Sequence, residues 1–102
     1  MLKELNSKAI SVNEEGYLTN FAEWDKGVAE VIATEEGIAL TDRHWQVIEY
    51  LQSEYKKDSP LSIRKIKNSG VISINEFYDL FPGGPLKKAT KIAGIPKPAS
   101  CV

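Results

Sequence analysis

"LTDRHWQVIEYLQSEYKK", Leu40 to Lys57, reads as one amphipathic helix, and the rest of the fold is arranged around it. Thr41 is placed as an N-cap, whose side-chain oxygen can accept from an orphan backbone N–H. Asp42 follows in the first turn, where the helix dipole favours an acid, and Lys56-Lys57 suit the opposite end. Between them Trp45, Ile48, Leu51 and Tyr55 recur at helical spacing and predict one apolar stripe.

Working outward, "AISVNEEGYLTNF" (residues 9–21) has two short apolar stretches around Asn13-Glu-Glu-Gly16 and predicts a β-hairpin, with Gly16 supplying a positive φ. Trp24, Val28, Val31 and Ile32 predict a helix over residues 22–34, stopped by Gly37. Beyond the long helix, Ser59-Pro60 predicts an N-cap followed by N1, opening a short helix with Ile63 and Ile66 inward that ends at Asn68-Ser69-Gly70. Ser73-Ile-Asn-Glu76 has capping-box spacing and directs Phe77, Tyr78 and Phe81 to the core. "PGGP" (residues 82–85) breaks the chain. Pro85 then starts a last helix with Leu86, Ala89, Ile92 and Ala93 apolar and Gly94 as its stop. The expected fold is a small, mostly α (α+β) domain: an N-terminal β-hairpin, a helix-turn-helix-like element within residues 60–80, and an extended C-terminal arm.

One hundred and two residues suit one domain, read as residues 1–94, with an arm at 95–102. Residues 1–10 carry Lys3, Glu4 and Lys8 and no apolar run, so they do not read as a secretory signal. No apolar segment has the length to span a bilayer, and the expectation is a soluble, cytoplasmic protein that needs no membrane. Charge is unevenly spread. Residues 1–60 hold six Lys/Arg against twelve Asp/Glu, and residues 61–102 hold seven against two. That split permits a basic surface for an anionic partner.

Few residues offer chemistry. One Cys and one His do not make a tetrahedral zinc site, and "PGGP" lacks the Lys-Ser/Thr of a phosphate loop, so no metal or cofactor is expected. His44 reads as a structural imidazole near the core edge. The pairs Glu14-Glu15 and Glu35-Glu36 read as solvated loops with no acid/base role. What remains is the tail, "KIAGIPKPASCV" (residues 91–102). Its sole thiol, Cys101, follows a Pro-x-Pro stretch that favours extended polyproline II. An arm of about eight residues at ~3.1 Å each reaches ~25 Å, far enough to enter another protein's cleft. Lys87, Lys88, Lys91 and Lys97 make a cationic approach to Cys101. An accessible thiol in such a setting is suited to sulfur chemistry.

"LFPGGPLKKATKIAGIPKPASCV" (residues 80–102) closely resembles the C-terminal signature of the DsrC/TusE sulfur-carrier family. The resemblance continues upstream through "EEGYLTNFAEWDKGVAEVIA" and "GIALTDRHWQVIEYLQSEY", and is weakest over residues 56–75. It implies that Cys101 carries sulfur as a persulfide between proteins. The implied partners are an upstream persulfide donor protein and an acceptor enzyme, either a tRNA 2-thiouridylase, with tRNA contacted indirectly, or a sulfite reductase complex. It also puts Arg64, in "SIRKIK", where the family has an arginine, and makes Arg64, Lys87, Lys88, Lys91 and Lys97 candidates for partner binding. One departure separates two branches. The dissimilatory sulfite reductase gamma-subunit branch has a second cysteine eleven positions before the terminal one, and Thr90 stands there. Without it Cys101 cannot close an intramolecular disulfide, which favours the single-thiol relay that 2-thiolates the tRNA wobble uridine over the two-thiol cycle. An alternative of another class is a helix-turn-helix DNA-binding regulator using Ser73, Asn75, Arg64, Lys65 and Lys67. Against it, Glu76 and Asp79 lie on the second helix, where DNA phosphates would repel them.

Overall fold

The computed structural model describes residues 1–97. Its elements run β1 (Leu2–Leu5), β2 (Lys8–Ser11), a 3-10 turn (Phe21–Glu23), α1 (Lys26–Glu35), α2 (Asp42–Lys56), α3 (Ile63–Ser69), α4 (Ile74–Leu80) and α5 (Pro85–Ile92). None of these helices is long and apolar enough to cross a membrane.

The hairpin is present but sits earlier than expected. Strands β1 and β2 pair antiparallel with Leu5 opposite Lys8, so the loop is Asn6-Ser7. Both loop residues have positive φ, 53° and 63°, the conformation whose twist matches a two-residue hairpin. The expected turn at Asn13–Gly16 also exists, closed by a single bridge between Val12 and Leu18. Asn13 Oδ1 accepts from the backbone N–H groups of Glu15 and Tyr17 (2.9 and 3.0 Å), and Gly16 has φ 87°.

The expected helix over residues 22–34 is two pieces. Asp25 caps α1, its Oδ1 accepting from Val28 N at 2.8 Å, so Trp24 lies in extended backbone between the 3-10 turn and α1. Helix α2 runs as expected, but its buried face is His44, Val47, Ile48 and Leu51, while Tyr55 is 40% exposed. The stripe is therefore rotated toward the Val47 side, and Trp45 packs at the core edge under the ammonium of Lys26. Helix α3 starts at Ser62, whose Oγ accepts from Lys65 N (3.1 Å), rather than at Ser59-Pro60. Ser59 instead continues the end of α2, its N–H bonding Glu54 O at 3.0 Å. Helix α4 buries Phe77 and Phe81 and leaves Tyr78 46% exposed. Ser73 caps it as expected, but the Glu76 carboxylate turns away from the cap to a fork of bonds with Arg43 (Nε 3.0 Å, Nη2 2.7 Å). Arg43 Nη2 also donates to Val71 O at 3.0 Å, fixing the α3–α4 connection to the start of α2.

His44 is buried and structural. Its Nδ1 accepts from Thr41 N (3.1 Å), which puts the ring proton on Nε2, 2.8 Å from Leu80 O. The ring meets Phe81 edge-on at 5.0 Å. Thus α2 is tied to the end of α4 by a bond as well as by packing.

Helix α5 lies at the centre, packed against α1, α2 and α4. Five of its eight residues are buried: Pro85, Leu86, Ala89, Thr90 and Ile92. Gly84, with φ 103°, precedes Pro85 at N1, where the missing N–H costs nothing.

Candidate functional site

The last carbonyls of a helix have no partner within it, and in α5 they are bonded by the rest of the fold. Trp24 Nε1 donates to Ile92 O at 2.8 Å, and Gln52 Nε2 donates to Ala93 O at 2.8 Å. Near the start of the same helix, Tyr17 Oη donates to Lys87 O at 3.1 Å. The end itself is a Schellman motif: Gly94 N bonds Lys91 O and Ile95 N bonds Thr90 O, both at 3.2 Å, with Gly94 left-handed at φ 74°. Ile95, the last residue of the motif, is 1% exposed. The first residue of the expected arm is thus anchored in the core, and the chain emerges at Pro96 and Lys97, both exposed. Cys101 lies outside the described residues.

The position of Gly94 depends on Trp24. A Cβ at residue 94 would lie 2.3 Å from Trp24 Cδ1, closer than any real contact. Trp24 in turn stacks on Phe21 (6.1 Å between centroids), and Phe21 meets Tyr55 at 5.8 Å.

Beside this exit is a basic face. Lys87, Lys88 and Lys91 line a shallow groove of about 200 Å³ together with Glu15, Tyr17, Glu36 and Gly83. Lys97 does not line the groove but pairs with a residue that does, its Nζ 2.9 Å from Glu15 Oε2. That hydrogen bond holds the Glu15 carboxyl below the ordinary glutamate range, with Lys87 adding a weaker attraction. Lys91 pairs with Glu36 at 3.2 Å and lies against the residue 13–17 turn, since a Cβ on Gly16 would sit 3.0 Å from Lys91 Cε. The structure therefore gathers four of the candidate cations, Lys87, Lys88, Lys91 and Lys97, on one face. Arg64 does not join them: it is exposed on α3 and is no part of that groove. Neither Glu15 nor Glu36 was expected there. They lie dozens of residues from their lysine partners, and only the tertiary fold brings each pair together. Among the described residues, no group of three or more His, Cys, Asp or Glu is placed to hold a metal ion.

Thr90 is fully buried, its hydroxyl donating to Leu86 O at 2.7 Å. The place where a two-thiol relative would carry its second cysteine is thus a packed core position of α5 here.

Residues 4–102 match the family described as "DsrC like protein". The chain belongs to the DsrC-like family. Among its curated relatives is the "Sulfurtransferase TusE" of Escherichia coli (strain K12), 38% identical over 103 residues that cover 93% of this chain and 94% of the relative. The protein of the same name from Yersinia pseudotuberculosis is 36% identical, covering 97% and 99%. Among solved structures, the NMR structure of Allochromatium vinosum DsrC superposes with a TM-score of 0.83 at 36% identity, covering both chains fully. The oxidized gamma-subunit of the dissimilatory sulfite reductase from Archaeoglobus fulgidus gives 0.79 at 33%, again with full coverage of both. The DsrC-like fold of this chain is therefore the expected mostly helical one with an N-terminal hairpin.

Proposed function

We propose that this DsrC-like chain is a sulfur carrier that holds sulfane sulfur as a persulfide on Cys101 and passes it from a donor protein to an acceptor enzyme. The observation that carries this reading is the anchored exit. Two side chains and a Schellman motif fix the end of α5, Tyr17 holds its first turn, Ile95 is sealed in the core, and Cys101 lies six residues further on (95 to 101). Six residues span at most about 20 Å, so a partner's reactive sulfur must come within that distance of the exit at Ile95. In this reading residues 1–94 are the docking body, and residues 95–102 are the arm bearing the thiol.

The chemistry needs one thiol. The Cys101 thiolate attacks the outer sulfur of a donor persulfide, the donor S–S bond breaks, and the donor leaves as a thiolate. Sulfane sulfur moves with no net oxidation. The acceptor repeats the step in reverse, its own thiolate attacking the outer sulfur on Cys101. Lys87, Lys88, Lys91 and Lys97 face the partner, and Arg64 offers a second contact on α3.

Of the two acceptors, Thr90 favours the tRNA 2-thiouridylase, with tRNA contacted indirectly, over a sulfite reductase complex. A core threonine cannot supply the second sulfur of a two-thiol cycle. The test is to load the chain with labelled sulfane sulfur and offer each acceptor with its substrate in turn. Label is expected in the tRNA nucleoside. Turnover only with sulfite reductase would overturn the choice of acceptor, and no transfer to either would overturn the carrier role. The same partners place the protein in the cytoplasm.

A further inference from the structure

The four lysines beside the exit are not equivalent. Lys91 is tied to Glu36 and packed on Gly16, so it holds the residue 13–17 turn against α5. Lys87 and Lys88 have no ion-pair partner within the described residues. Lys97, two residues beyond the sealed Ile95, is paired with Glu15, which stands on a turn made rigid by Asn13. Both members are solvated, with side chains 35% and 54% exposed. An ion pair so placed is weak and readily exchanged, biasing its equilibrium by a factor of roughly two to five.

We propose that the Lys97–Glu15 pair is an exchangeable latch on a docking face for an acidic protein partner. Lys87 and Lys88 attract the partner's carboxylates, one of which replaces Glu15 on Lys97 and so exchanges the hold of the residue 13–17 turn on Lys97 for that of the partner. The step is an exchange of one ion pair for another and breaks no covalent bond. The occupant is an acidic protein segment and not a nucleic-acid backbone, because the face is mixed. Glu15 and Glu36 line the groove and Glu14 is exposed beside it. The regularly spaced charges of a phosphate backbone cannot avoid these carboxylates, whereas a protein segment can present a single side chain that takes the place of Glu15 alone. The inference rests on the carrier reading, since it concerns how the thiol is presented.

Two measurements on the full chain test it. The heteronuclear NOE of the backbone amide at position 97 should fall in Glu15→Gln and in Lys97→Glu, and recover in the charge-swapped double variant Glu15→Lys/Lys97→Glu. Unchanged values in the single variants, or no recovery in the swap, would overturn the latch. Binding of a glutamate-rich decapeptide at low salt should tighten about two- to five-fold in Glu15→Gln and weaken in Lys87→Gln/Lys88→Gln. Equal affinity in wild type and Glu15→Gln would overturn the exchange, and tRNA displacing the peptide through the same lysines would overturn the choice of a protein partner. Sulfur loading of Cys101 measured on Glu15→Gln separates the two readings. Loading with an unchanged NOE sinks the latch only, and failure to load sinks the carrier.

Discussion

The indole N–H of Trp24 donates to Ile92 O at 2.8 Å while the same ring closes over Gly94. One side chain thereby satisfies the end of α5 and selects the only residue type that fits after it. Gly94→Ala must place a Cβ against that ring and hold alanine at positive φ. Left-handed backbone costs about 1–2 kcal/mol and overpacking about 1–3 kcal/mol more. A loss of at least ~2 kcal/mol in urea unfolding is expected. Trp24→Phe keeps an aromatic side chain but removes the indole N–H donor, and should cost about 1–3 kcal/mol.

Arg43 and Glu76 predict an acid limb of stability. The hydrogen bonds from Arg43 hold the Glu76 carboxyl below its ordinary value of 4.5. A carboxyl with a lowered folded pKa contributes stability that is present above the unfolded value and is lost as pH falls through the folded one. The difference in melting temperature between wild type and Glu76→Gln should therefore be largest near neutrality and disappear only well below pH 4.5. A difference that grows on acidification would contradict the assignment.

Thr90 predicts a protected thiol. In a Cys101→Ser background, Thr90→Cys introduces a single sulfur at a fully buried site. It should react with a thiol reagent at the rate of local or global opening, and rapidly only in denaturant. Fast reaction under native conditions would show that the end of α5 opens readily, against its anchoring.

Ser7 predicts a stabilising change. It holds φ 63° in the β1–β2 loop, where glycine is at ease. Ser7→Gly should raise stability by roughly 0.5–1 kcal/mol, the left-handed strain less the extra chain entropy of glycine. A loss of stability would mean that the Ser7 hydroxyl does more than occupy a turn.

These residues also show what was legible in the sequence. The last helix was read residue for residue, because Pro85 and Gly94 punctuate it and Leu86, Ala89, Ile92 and Ala93 are all buried. The hairpin was placed one turn too late. Asn13–Gly16 carries the glycine that marks a turn, whereas Asn6-Ser7 adopts the same kind of backbone without one. Trp24 was assigned to a helix by spacing alone, although Asp25 is the cap that starts α1 after it. Ser59-Pro60 has the form of a helix start, but Ser59 N–H is bonded to the end of α2 and Ser62 caps α3 instead. In the site, the lysines were visible as a cluster in sequence. Glu15 and Glu36 were not, since pairs separated by 82 and 55 positions leave no local trace.

The most direct test of the account is the intact mass of the purified chain after incubation with a persulfide donor. The wild type should gain one sulfur atom, removable by a thiol reductant, and Cys101→Ser should gain none. A wild type that takes up no sulfur, or a Cys101→Ser variant that takes up as much, would contradict it.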